Sequence, residues 1–205
     1  MDADLSINSL VKVTGSTALL GLGSNLGDRI GWLYYGLARL GGHSDIRIEA
    51  VSSIWSTPPV QAAGGEFLNI AVRVNTSLNA HELLQAVKGI EAETGRSGSL
   101  SDARRLDIDI IYFGDSIIDE SSLVIPHPRR LMRSFVLAPI AEVCGTAVDP
   151  VFKTRISELA YLKLPGLIPT ATRVLHPGWF VQNDGSRSWG EQDELPSNGT
   201  ESGHD

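Results

Sequence analysis

Phe67-Leu68-Asn69-Ile70-Ala71-Val72-Arg73-Val74-Asn75 reads as a strand that sets Leu68, Ile70, Val72 and Val74 on one face, because alternate side chains of a pleated strand point the same way. Downstream, Asn79 is placed to cap a helix. Leu83, Leu84, Val87 and Ile90 form its inner stripe, and it ends near Gly95. A Ser- and Gly-rich loop, Arg96 to Ala103, leads to a further strand over Leu106 to Phe113, closed by a Gly114-Asp115 turn. Upstream, Ile46 to Ser53 alternates as a strand, and Thr57-Pro58-Pro59 ends that region because proline donates no ladder hydrogen bond. Thr17 to Gly23 is a short apolar run of the buried-strand kind, followed by turn residues Ser24 to Asp28. Ile30, Leu33, Leu37 and Leu40 then predict a helix from about Asp28 to Leu40, stopped by Gly41-Gly42. The order strand, helix, strand, strand, helix, strand predicts an α+β fold: a ferredoxin-like antiparallel sheet with helices packed on it, on one face. Leu131 to Val143 adds a stretch that is helical at its end.

Three segments are expected. Residues 1–16 are polar and irregular and predict a flexible N-terminus, 17–162 form the domain, and 163–205 form a C-terminal extension. After Phe180 the chain turns to Gln, Asn, Asp, Gly, Ser and Glu, which predicts disorder from about Val181. At 205 residues and 42% hydrophobic content, the chain suits one domain with a substantial core. Its apolar runs are too short to span a bilayer, and Met1 to Asn8 do not read as a secretory leader. Cys144 stands alone and suits a reducing compartment. A cytoplasmic protein with no membrane partner is expected. A net charge of −7 argues against a nucleic-acid partner, and adjacent strands lack the paired exposed aromatics of a small RNA-binding module. The arginines are nevertheless gathered in one third of the chain, at Arg96, Arg104, Arg105, Arg129, Arg130 and Arg133. Taken singly, each reads most simply as a solvated surface charge.

Asp107-Ile108-Asp109-Ile110 is the stretch with the most chemistry. On a strand, Asp107 and Asp109 point the same way while Ile108 and Ile110 face the core behind them. Two neighbouring carboxylates repel each other, and a hard cation relieves that repulsion; Mg²⁺ typically takes one or two carboxylates together with nucleotide phosphates. Arg96 and Arg104 flank the loop just before the pair, and arginine binds phosphate oxygens with a planar fork of donors. Mobile arginines beside a metal pair suit phosphoryl transfer, in which catalysis is mainly positioning and charge neutralisation. Further on, Ile125-Pro126-His127-Pro128, Arg133 and Phe135 offer phosphate or nucleotide contacts. The glycines of Gly21-Leu22-Gly23-Ser24-Asn25-Leu26-Gly27 match neither a Walker A loop nor a dinucleotide fingerprint, and read as a tight strand-to-helix turn.

Five stretches together resemble the 6-hydroxymethyl-7,8-dihydropterin pyrophosphokinase family. They are Gly21 to Asp28, Ser56-Thr57-Pro58-Pro59-Val60, Phe67-Leu68-Asn69, Leu106 to Gly114, and Ile125 to Pro128 with Arg133-Ser134-Phe135-Val136-Leu137. Their order and spacing match over about Thr17 to Leu162. The resemblance implies transfer of pyrophosphate from the co-substrate ATP to the hydroxymethyl group of 6-hydroxymethyl-7,8-dihydropterin in folate biosynthesis, by direct attack of the hydroxyl on the β-phosphorus. It implies that Asp107 and Asp109 hold two Mg²⁺ ions, that Arg96 and Arg104 are catalytic-loop arginines that also bind ATP, and that Glu91, His127 and Arg133 contact ATP. It implies a pterin pocket of Thr57, Pro58, Val60, Phe67, Asn69 and Phe135, with Asn69 on the ring edge and Phe135 stacked on the ring. The partners so implied are small-molecule substrates, and an association with other folate-pathway enzymes is left open.

The chain departs from the family at one place. Where members carry a Trp-Gly-Pro-Arg-Thr type of run before the aspartates, it has Ser101-Asp102-Ala103-Arg104-Arg105. A Ser/Gly loop is floppier, so closing it over substrates is expected to cost more entropy. That departure motivates a second reading, a catalytically weak pterin- or nucleotide-binding relative acting through a partner protein. The joint presence of Asp107, Asp109, Asn69, His127, Arg133 and Phe135 favours the enzyme.

Overall fold

The computed structural model describes residues 15–57, 65–95, 104–163 and 172–175. Expectations that fall on Pro58, Val60, Arg96 and its loop through Ala103, residues 1–14 and the stretch after Val181 lie outside them. The sheet is built from β1 (Ser16–Ser24), β2 (Ile46–Val51), β3 (Ile54–Thr57), β4 (Phe67–Thr76), β5 (Asp107–Phe113) and β8 (Thr172–Leu175). Its order is β5-β1-β4-β3-β8, with β2 also on β4 and every pairing antiparallel. The last strand of the expected motif thus lies beside the first, as in a ferredoxin-like sheet. A small ribbon of β6 (Ile118–Asp119) and β7 (Val124–Ile125) follows β5.

Helices α1 (Arg29–Gly41) and α2 (Ala80–Glu93) cover one face. Both start as their sequences predict. The Asp28 carboxylate accepts from the Gly31 amide, and Asn79 with Glu82 forms a reciprocal capping box. Leu33, Leu37 and Leu40 of α1 and Leu83, Val87 and Ile90 of α2 close over Ala18, Leu20, Leu22, Ile70 and Val72. Burying a side chain of this size stabilises the fold by about 1.5–3 kcal/mol.

The other face differs from expectation. Helix α3 (Ser134–Cys144), preceded by a 3-10 turn at Arg130–Met132, packs there, so the sheet is covered on both sides. Its Val136, Ile140 and Val143 meet Leu19, Ala71, Ile111 and Tyr112, with α4 (Ile156–Lys163) adding Ile156. A β-bulge makes this second core possible. The β1–β5 register shifts between Leu19 and Leu20, which pair with Tyr112 and Ile110. The extra residue puts both Ile111 and Tyr112 into the second cluster.

The run expected as one strand over Ile46 to Ser53 is also divided. Buried Ser52 and Ser53 interrupt it, since Ser52 Oγ accepts from the Ala71 amide at 2.9 Å and the Ser53 amide donates to Glu142 at 2.7 Å. A separate strand, β3, then pairs with the start of β4. β1 begins at Ser16, one residue into the expected flexible end, where Ser16 pairs with Thr76. β8 adds to the β3 edge from within the segment read as extension. Among the described residues no helix is long and apolar enough to cross a membrane.

Candidate active site

The site forms where β4, β1 and β5 run side by side. Residues directly opposite each other in a ladder share a face, and Gly23 pairs with Asn69 on one side and Asp107 on the other. Gly21 likewise pairs with Ala71 and with Asp109. The central strand therefore has no side chains between the expected pterin reader and the expected metal ligands. A Cβ at Gly23 would stand 3.2 Å from the Asn69 side-chain oxygen, and one at Gly21 would stand 3.5 Å from Ile111 Cδ1. The glycines of the first strand thus clear a floor, a function that their sequence pattern did not disclose.

Asp107 and Asp109 are half-buried and alternate with buried Ile108 and Ile110, as period two predicts. The Arg104 guanidinium bonds Asp107 Oδ1. Arg104 is itself held at the backbone by Asn25, whose Oδ1 accepts the Arg104 backbone amide at 2.6 Å and whose backbone N–H donates to the Arg104 carbonyl at 3.1 Å. Sequence reading took Asn25 only as a turn residue. Its two bonds fix where Arg104 leaves the loop.

Across from Asp109 Oδ2 stand His127 Nε2 at 3.8 Å and Arg133 Nη1 at 3.7 Å. Those distances exceed a hydrogen bond, so the carboxylate does not consume either donor. The bulge places the histidine, because the His127 amide donates to the Ile111 carbonyl at 2.9 Å. His127 Nδ1 accepts from the Arg129 amide at 3.2 Å, which assigns the proton of the neutral ring to Nε2, on the Asp109 side. Burial lowers the imidazole pKa below its ordinary value; Asp109 opposes this, and Arg133 and Arg129 add to it. Burial and the charge of Arg129 also lower the Arg133 pKa. The Arg133 guanidinium lies 5.5 Å from the centre of the Phe135 ring, in the first turn of α3.

On the other side of the floor, Asn69 is buried and its Nδ2 donates to Thr57 Oγ1 at 3.2 Å, which turns the amide oxygen toward Gly23. Phe67 opens β4 opposite Thr57, and its Cδ1 lies 3.9 Å from the Gly23 Cβ position. Glu91, near the end of α2, has both oxygens engaged. One accepts the Ile108 amide at 2.6 Å and the other bonds Lys88 Nζ at 2.7 Å. Its pKa is raised by burial and, less, by Asp107, against the lowering effect of Lys88 and the Ile108 amide.

A cavity of about 230 Å³ opens along the outer edge of β5, between α2 and the β6–β7 ribbon. Leu84, Leu123 and Val124 line it, and its polar groups include Lys88, Asp109, His127 and the serines Ser121 and Ser122. Among the described residues no group of three or more His, Cys, Asp or Glu is disposed to hold a metal by itself. Two same-facing carboxylates fit Mg²⁺ all the same, because that ion keeps waters and takes phosphate oxygens.

Comparison with known proteins identifies the family. The family model for 7,8-dihydro-6-hydroxymethylpterin-pyrophosphokinase (HPPK) matches residues 19–145. A Bacillus subtilis protein named 2-amino-4-hydroxy-6-hydroxymethyldihydropteridine pyrophosphokinase is 43% identical over 129 residues, covering 62% of this chain and 77% of that one. An Aquifex aeolicus protein of the same name is 33% identical over 148 residues, covering 70% and 89%. A mitochondrial folate synthesis bifunctional protein of Arabidopsis thaliana is 40% identical over 68% of this chain, which spans 25% of that protein. Among solved structures, Plasmodium falciparum HPPK-DHPS with pteroate superposes with a TM-score of 0.64 at 14% identity, over 82% of this chain and 49% of that one. Likeness at that identity speaks for the fold alone. The matched family model covers both aspartates, Asn69, His127, Arg133 and Phe135, and the chain belongs to the 7,8-dihydro-6-hydroxymethylpterin-pyrophosphokinase family.

Proposed function

We propose that the chain transfers pyrophosphate from ATP to the hydroxyl of 6-hydroxymethyl-7,8-dihydropterin. The hydroxyl oxygen attacks the β-phosphorus, the bond from that phosphorus to the oxygen bridging it to the α-phosphate breaks, and AMP leaves; the hydroxyl proton goes to solvent. The observation that carries the reading is the bare Gly21–Gly23 floor, with Asn69 on one side and Asp107 and Asp109 on the other. One substrate is read at β4 and the other is charge-neutralised at β5, with nothing between them.

Each side chain then has a defined task. The Asn69 oxygen, fixed by the Thr57 bond, accepts from ring-edge N–H groups of the pterin. Phe135 offers a flat face to the ring, alongside Phe67 and Thr57, and the resemblance assigns Pro58 and Val60 to the same substrate. The cavity beside β5 seats the nucleoside, since β5 is an edge strand and the cavity pairs an apolar wall with polar groups. His127 Nε2–H and Arg133 donate to phosphate oxygens, as do Arg104 and Arg96 from the two ends of the loop. Asp107 and Asp109 would hold the two expected Mg²⁺ ions, which would supply charge neutralisation at the transferring phosphates. The lone cysteine favours a cytoplasmic setting. Relatives named as bifunctional folate synthesis proteins favour work beside other enzymes of that pathway.

The test is AMP release from ATP with and without the dihydropterin, over a range of Mg²⁺ concentrations. Release that needs both supports the transfer. Pterin binding without AMP release would favour the weak binding relative. Asn69→Ala is expected to weaken pterin binding on the order of tenfold or more, by removing a buried, oriented hydrogen-bonding group, while ATP affinity moves little. Separate titrations of the two ligands check this, and an equal loss for both would displace Asn69 from the ring edge.

A further inference from the structure

We infer that Lys88 is a nucleotide-binding residue whose ammonium contacts the α-phosphate, the phosphoryl group that stays on AMP; this rests on the cavity beside β5 seating ATP. Lys88 lines that cavity with Asp109 and His127 on its polar side and Leu84 on its apolar side. Its Nζ is tied to Glu91 Oε2 at 2.7 Å, and Glu91 Oε1 is tied to the Ile108 amide at 2.6 Å. Ile108 lies between the two aspartates on β5, so this chain of bonds places one positive charge at the level of the metal pair. Glu91 stands behind the wall and orients, while Lys88 faces the cavity.

The choice of phosphate follows from position and chemistry. The apolar wall suits a base, and the aspartate face suits the phosphates that are transferred. The joint between them holds the ribose and the α-phosphate. An ammonium is a compact charge with three donors, matched to a phosphate oxygen better than to a neutral hydroxyl. An exposed lysine three residues before a glutamate on a helix also reads as an ordinary surface pair, which contributes little. The two roles predict different binding behaviour.

The experiment compares AMP and adenosine binding to the full chain and to K88M and K88R, by calorimetry, alongside the KM values of both substrates. The expected result is that K88M weakens AMP binding and raises KM for ATP about tenfold, leaving adenosine binding and KM for the pterin in place. K88R, which restores the charge, is expected to recover AMP affinity to within about threefold. Unchanged AMP affinity in K88M would reduce Lys88 to a surface pair. Equal losses for AMP and adenosine would move the contact to the ribose and overturn the α-phosphate assignment. An unaltered chain that binds neither AMP nor ATP would remove the nucleotide reading of the cavity itself, and Lys88 with it.

Discussion

Asp107→Ala and Asp109→Ala are each expected to lower kcat/KM on the order of 10³-fold or more, with Tm held within about 3 °C of the unsubstituted chain. The large effect on rate follows from charge. Each substitution removes one of two carboxylates that face the same side of β5 at the point where the transferring phosphates are to be neutralised. The small effect on stability follows from exposure. Both carboxylates are half-buried, and the Asp107 partner, Arg104, is largely exposed, so losing that ion pair costs little. Removing Asp109 leaves His127 and Arg133 without a hydrogen bond to lose, because neither was within bonding distance. Turnover and thermal unfolding measured on the same preparations check both halves. Near-normal turnover in both variants would end the assignment of these residues to the metal.

Asp149→Asn should show the opposite profile, with fold stability as the first casualty. Asp149 is fully buried and accepts from Arg130 Nε at 2.8 Å and Nη2 at 3.2 Å, from the Tyr112 hydroxyl at 2.9 Å, and from the Val151 and Phe152 amides at 2.8 and 3.0 Å. Removing one charge of such a pair leaves the other buried and uncompensated, at about 3–5 kcal/mol, or a fall in Tm of roughly 10 °C. Burial pushes the Asp149 carboxyl pKa up, but the bonds from Arg130, Phe152, Tyr112 and Val151 outweigh it and hold the value below the ordinary one. A depressed folded pKa contributes stability that is present above the unfolded value of about 3.9 and is lost as pH falls through the folded value. The unsubstituted chain should therefore lose this contribution below about pH 4, and Asp149→Asn should lack that part of the acid limb. Denaturant titrations from pH 3 to 7 read both effects, and equal slopes for the two proteins would show that the pair does not carry the acid dependence.

The parts of the fold that were legible in the sequence rest on local periodicity. β4 and β5 alternate strictly enough to place Leu68, Ile70, Ile108 and Ile110 in the first core, and the caps of α1 and α2 are local chemistry. What was missed depends on pairing between distant segments. The Ser52-Ser53 break exists because of Ala71 and Glu142. The bulge at Ile111 exists in the register with Leu19 and Leu20, and only that register shows how α3 finds a second apolar face. In the site, the shared face of Asp107 and Asp109 was readable from a period of two, while the roles proposed for the other residues came from resemblance. The place of Lys88 on the cavity wall was not readable, since a charged residue on an amphipathic helix looks like any solvated one. Arg130 was taken for a surface charge and is buried, because its partner Asp149 lies 19 positions away.

The bare central strand also acts as a ruler. Neighbouring strands run about 4.8 Å apart, so two steps across β1 set the rows of Asn69 and Asp107 roughly 9 to 10 Å apart. Backbone hydrogen bonds fix that interval, and side-chain packing elsewhere adjusts it little. Selection on size is then a property of the sheet. With the proposed roles, a ligand gripped at Asn69 would deliver its reactive oxygen to the aspartates only if its own length filled two strand spacings, and a single-ring analogue would end over glycine, short of the phosphates.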